Sequence, residues 1–116
     1  MNQKILLKMM NKARKYGMNE ITQAEFNERV RRHEEWLATA GDQGRRLELY
    51  EYDLRNIKFA NMDLSKAEML RCVFDGVLMR DCDFTETDLR RCSFKGVEFH
   101  HCTIESTKVR EASFEG

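Results

Sequence analysis

Residues 52–116 read YDLRN-IKFAN-MDLSK-AEMLR-CVFDG-VLMRD-CDFTE-TDLRR-CSFKG-VEFHH-CTIES-TKVRE-ASFEG, and LELYE at 47–51 extends the pattern to fourteen pentapeptides. Every fifth residue is a large apolar side chain: Leu49, Leu54, Phe59, Leu64, Met69, Phe74, Met79, Phe84, Leu89, Phe94, Phe99, Ile104, Val109 and Phe114. A second series runs two residues ahead and is mostly small: Ala67, Cys72, Val77, Cys82, Thr87, Cys92, Val97, Cys102, Thr107 and Ala112 follow Leu47, Tyr52, Ile57 and Met62. A period of five fits neither a helix at 3.6 nor a flat strand at 2.0. A repeat this short signals a solenoid.

These blocks resemble the pentapeptide-repeat family, whose pattern is A(D/N)Lxx. The preceding stretch FNERVRRHEEWL, with its Gly-containing turn and Arg, is similar to segments that precede the repeats in some bacterial members. Here the small position is often Cys, Val or Thr, and the central one often Phe or Met. The resemblance implies a right-handed quadrilateral β-helix with four pentapeptides per coil, hence about three and a half coils over residues 47–116. At the ~4.8 Å spacing of paired strands the rod is roughly 17 Å long. Central residues then fall into columns twenty apart, and Phe74, Phe94 and Phe114 should stack.

Residues 1–46 read as an N-terminal helical segment and cap. Ile5, Leu6, Met9, Met10, Ala13 and Tyr16 recur at helical spacing, and the spacing predicts a basic amphipathic helix at about 3–16. A second helix is expected at about 23–39: Thr22 and Glu25 make a capping box, and Ile21 and Phe26 a hydrophobic staple. Its apolar face holds Phe26, Val30, His33, Trp36, Leu37 and Ala40, and Trp36 and Leu37 should lie over the first coil near Leu47 and Leu49. A solenoid's first coil exposes an apolar end and unpaired backbone, which this helix would cover. The first helix packs likewise, or binds a membrane surface or partner.

The 116 residues suit one domain. Twenty basic and twenty acidic side chains balance overall, but residues 1–46 carry ten basic against six acidic, and residues 47–116 ten against fourteen. No apolar stretch approaches the ~18 residues that cross a bilayer. Lys8 interrupts the one N-terminal apolar run, so no signal peptide is read and the expected compartment is cytoplasmic, with reduced thiols. Cys72, Cys82, Cys92 and Cys102 are spaced by ten, unlike a zinc knuckle, and all take the small inward position. No metal, cofactor or catalytic constellation is expected. His100 and His101 read as surface residues. Gly76, Gly96 and Gly116, with Asn56 below them, share one corner that tolerates positive φ.

Function therefore lies on outward positions. Tyr50, Leu70, Val73 and Leu78 break the polar rule there, and Arg71, Arg90, Arg91 and Arg110 share the face of the first two; together these eight form the candidate partner surface. Glu68, Asp88 and Glu111 lie close enough to offset the arginines. The sequence stops inside the repeat pattern, so Val109 and Phe114 would top an uncapped coil, and a C-terminal homodimer is expected, a mode known in the family. Two readings follow. One is a non-catalytic scaffold for an unidentified protein partner. The other, implied by the resemblance, is mimicry of duplex DNA to bind a type II topoisomerase such as gyrase. Duplex DNA would carry about ten negative charges over this length, and the repeats carry a net of four, so the scaffold leads. Nucleic acid itself is not an expected partner. A third reading is a membrane-associated effector acting through residues 1–17.

Overall fold

A computed structural model describes residues 2–5 and 17–115. Residues 3–5 are helical, and the remainder of the helix expected at about 3–16 lies outside the described residues. Helix α1 spans Gln23–Ala38 and starts as the capping box requires: the Thr22 side chain accepts from the Glu25 amide at 3.1 Å, and the Glu25 carboxylate accepts from the Thr22 amide at 3.0 Å. Thr39 closes it, donating its amide to the Glu35 carbonyl.

The repeats follow as five short strands: β1 Glu48–Tyr50, β2 Phe59–Ala60, β3 Glu68–Leu70, β4 Leu78–Arg80 and β5 Glu98–His100. β1 pairs with β3, and β2 with β4 and then β5, always in parallel and always twenty residues apart: Leu49 faces Met69, Phe59 faces Met79, and Met79 faces Phe99. Isolated parallel bridges carry the same register elsewhere, from Asp53 to Val73, Ser93 and Ser113, from Asp63 to Asp83 and Thr103, and from Glu68 to Asp88 and Lys108. The architecture is thus a two-stranded and a three-stranded parallel sheet with bridges between them, rather than one continuous closed sheet.

The reason the ladders stay short is in the backbone. From Glu51 to Glu111 every fifth residue except Asn56 has φ near +50 to +80°, which turns the chain after each few extended residues. Gly76 and Gly96 are two of this series, and the rest are Asn61, Lys66, Arg71, Asp81, Glu86, Arg91, His101, Ser106, Glu111 and Glu51. None is β-branched, the class for which left-handed φ is most costly. The positive φ expected at the glycine corner is therefore a property of nearly every corner, and Asn56, placed beneath the glycines, is the position that lacks it. Several corners are also tied by a carboxylate: Asp63 accepts the Ser65 amide at 3.0 Å and Asp83 the Thr85 amide at 2.9 Å, each also taking the hydroxyl of the same residue. The frequent Asp before the central residue is a turn device.

The central residues from Leu49 to Phe94 are buried, and the small series packs beside them. Phe74 and Phe94 stack at 4.8 Å between ring centroids with planes 3° apart, and Phe94 and Phe114 at 5.0 Å and 6°. The inward Cys and Thr residues do more than fill space. Thr87 Oγ1 donates to the Leu64 carbonyl and Thr107 Oγ1 to that of Phe84, both at 2.7 Å. Cys92 Sγ donates to Met69 at 2.7 Å and Cys102 Sγ to Met79 at 3.5 Å. Each reaches the carbonyl of the central residue twenty-three positions earlier, so a polar-tipped small side chain satisfies buried backbone where Ala could not.

Phe26, Val30 and His33 of α1 are buried in the same core, with the Phe26 and Phe59 rings edge-on at 5.1 Å. Trp36 and Leu37, expected over the first coil, are only half-buried, and Trp36 stacks on His33 at 5.6 Å instead. The buried side chains of α1 run from Phe26 to His33. Side chains from this region meet backbone groups along one edge of the repeats. Asn19 bridges to Tyr52, donating its amide to Glu51 and accepting from Asp53, while its side chain donates to Tyr50. The Gln23 amide group both donates to the Lys58 carbonyl and accepts its N–H, at 3.2 and 2.7 Å. Glu34 accepts from the Asp63 amide, and Arg46 donates to the Lys66 carbonyl.

Candidate functional site

Alternation along β1 buries Leu49 and turns Glu48 and Tyr50 outward on one face. Leu70 lies directly beside Tyr50 in register, and Arg71, Arg90, Arg91 and Arg110 rise around the pair. Together with Glu111 they enclose a groove of about 320 Å³. Its floor is an aromatic ring and a leucine, and its rim is guanidinium.

The rim charges are largely held by the protein's own acids. Arg90 grips Asp88 with a forked pair, Nε–Oδ1 at 2.9 Å and an Nη–Oδ2 contact at 2.8 Å. Burial works against the Asp88 charge, but this fork holds its carboxyl below the ordinary range. Arg91 meets Glu111 at 2.6 Å, and Arg71 meets Glu51 at 3.5 Å while lying 5.9 Å over the Tyr50 ring. Glu68, expected to offset this set, acts on the Arg90 charge and also pairs with Arg46 at 3.5 Å. Arg110 makes no ion pair among the described residues. It is the rim cation open to an incoming carboxylate.

Of the eight candidate surface residues, the structure gathers Tyr50, Leu70, Arg71, Arg90, Arg91 and Arg110 into this groove. Val73 stands apart, half-buried in the column from Asp53 to Ser113. Leu78 projects from β4 on the other sheet, where it faces Glu98. At the far end Val109 and Phe114 are exposed, as are Phe99 and Ile104, so the apolar end is a row of four rather than two. That full row was legible in the five-residue series.

Cys82 and Cys92 are unreactive thiols. Burial pushes the Cys82 thiol up to about 11, and the bond to Cys72 together with burial raises that of Cys92, so neither is the thiolate that nucleophilic chemistry or metal binding needs. No group of three or more metal-ligating side chains occurs among the described residues. No helix there is long and apolar enough to cross a membrane.

Sequence reasoning missed a second cleft, of about 250 Å³, lined by Arg29, Arg32, Arg45, Arg46, Leu47 and Glu48. Its signal was the pair of dibasic steps Arg31-Arg32 and Arg45-Arg46, which the cap reading absorbed.

The family model described as pentapeptide repeats, in eight copies, matches residues 78–116. No curated protein and no solved structure matches the chain. Residues 47–77, outside that match, continue its twenty-residue register through the pairs Leu49–Met69, Asp53–Val73 and Phe59–Met79. Residues 78–116 are thus repeats of the pentapeptide kind, and residues 47–77 carry the same register into them.

Proposed function

We propose that this chain is a non-catalytic protein-interaction scaffold, with residues 47–116 wound as a right-handed quadrilateral β-helix of about three and a half coils and residues 1–46 forming its N-terminal helical segment and cap. The uniform twenty-residue register in both sheets and in the bridges supports the winding. The cap reading is supported by Asn19, Gln23, Glu34 and Arg46, whose side chains occupy backbone groups at one edge.

The observation that carries the scaffold reading is the groove over Tyr50 and Leu70. An apolar floor with one uncommitted guanidinium suits an extended protein segment that places an apolar side chain beside a carboxylate. Affinity purification from the native host with wild type, with Leu70→Glu plus Arg110→Glu, and with Leu78→Glu tests it. The expected result is a partner retained by wild type and Leu78→Glu and lost with the groove variant. Loss in neither variant overturns it.

The exposed row Phe99, Ile104, Val109 and Phe114 supports self-association at that end. Light scattering should give a dimer mass for wild type and a monomer mass for Phe114→Glu; a monomeric wild type removes this part. Mimicry of duplex DNA loses ground, because Glu51, Glu68, Asp88 and Glu111 are each paired with an arginine, which cancels part of an acidic ladder.

A further inference from the structure

We infer that the cleft between α1 and the turn that follows it is a binding site for a phosphoryl anion, held by Arg29, Arg32, Arg45 and Arg46. Two elements build it. Arg29 and Arg32 stand three residues apart and share one side of the helix. The chain then doubles back: Gly44, at φ +74°, lies so close to α1 that a Cβ there would sit 2.6 Å from the Trp36 amide nitrogen, and the Arg45 amide donates to the Arg32 carbonyl at 3.1 Å. This contact sets Arg45 and Arg46 opposite the two helical arginines.

The acids that act on these arginines stand mostly outside the cleft: Glu25 on Arg29, Glu28 on Arg32 and Glu68 on Arg46. Glu48 is the one acid in its lining. Arg46 donates to the Lys66 carbonyl at 2.6 Å and reaches Glu68 at 3.5 Å, and Arg29 lies 5.7 Å over the Tyr52 ring. These contacts orient two guanidiniums, and the Lys66 carbonyl and the Tyr52 ring do not neutralise them. Arg32 and Arg45 make no ion pair among the described residues. Convergent like charges repel, so the arrangement is most stable with an anion between them. Four planar forks offer more donors than the two oxygens of one carboxylate accept, whereas the terminal oxygens of a phosphate or diphosphate match bidentate guanidinium geometry. The four arginines line a single open cleft rather than a strip, which favours a discrete phosphoryl group over a nucleic-acid backbone.

Isothermal titration of the full chain with pyrophosphate at constant ionic strength tests this, beside vesicles with and without a phosphorylated inositol lipid. Saturable one-to-one binding of pyrophosphate is expected, weakened at least tenfold in Arg32→Gln plus Arg45→Gln. Arg31→Gln, whose side chain is engaged by Glu28 and Glu35 outside the cleft, should bind as wild type does. Binding to the lipid vesicles but not to pyrophosphate would assign the phosphate to a headgroup. Should the double variant melt early, Arg45→Gln alone serves with a threefold loss expected. Absence of saturable binding in both arms, or equal affinity in the cleft variants, overturns the assignment.

Discussion

His33 Nε2 lies 2.8 Å from the carbonyl oxygen of Ser65, tying the middle of α1 to the corner of a repeat. A carbonyl only accepts, so the ring proton sits on Nε2, and Nδ1 is left to accept the Leu47 amide at 2.8 Å. The neutral ring satisfies two buried backbone groups at once, with Asp63, Glu34 and Arg46 as its charged neighbours.

Protonating Nδ1 would set a donor against the Leu47 N–H. Burial, with a smaller contribution from Arg46, lowers the His33 pKa from its ordinary 6.5, against the opposing pull of the Ser65 bond and the nearby acids. The unfolded chain therefore binds its proton first as pH falls. His33 contributes fully above about pH 6.5, and that contribution declines from there down through the folded pKa. His33→Phe should cost about 2–4 kcal/mol at pH 7.5, and urea midpoints should show its gap to wild type narrowing by pH 5.5. A gap that stays constant would contradict the assigned tautomer.

Gly44→Ala should be the most damaging glycine substitution. Its Cβ would meet the Arg32 carbonyl and the Trp36 amide, both rigid helix backbone. A loss of about 2–4 kcal/mol is expected from this clash added to the left-handed φ. Gly76→Ala meets nothing within 4 Å and should cost only about 1 kcal/mol, from its φ alone. Thermal melts of the two variants check the ranking.

The corner series makes a cleaner test of backbone conformation. Glu86 is exposed at φ +57°. Glu86→Val should lose about 1–2 kcal/mol with no core contact altered. Glu86→Gly should fall within about 1 kcal/mol of wild type, since relief of the left-handed strain is offset by glycine's greater unfolded entropy.

Thr87→Val keeps the shape of the buried side chain and deletes the donor to the Leu64 carbonyl. We expect a loss of about 1–3 kcal/mol in chemical denaturation. Thr87→Ser, which retains the hydroxyl, should recover much of it. Equal losses in both would mean that packing, not the hydrogen bond, selects this residue.

Phe74→Ala should cost about 3–5 kcal/mol, because the ring is fully buried between Phe59 and Phe94. Phe114→Ala, at the exposed end of the same stack, should cost about 1 kcal/mol or less.

The five-residue series by itself determined which side chains face inward, while the twenty-residue register and the stacked phenylalanines followed from the family resemblance that the series carries. A period is a local property, and a strand's alternation between faces follows from it without knowledge of neighbours. The capping box of α1 was equally local. Tertiary structure alone decided the rest. It showed that Cys92 and Thr87 bond carbonyls twenty-three residues away, that Glu68 pairs with Arg46 as well as acting on Arg90, and that His33 is buried where Trp36 is only half-buried. It also brought Arg29 and Arg32 opposite Arg45 and Arg46. Each of these depends on where two distant stretches of backbone meet and at what angle, which no spacing along one chain encodes.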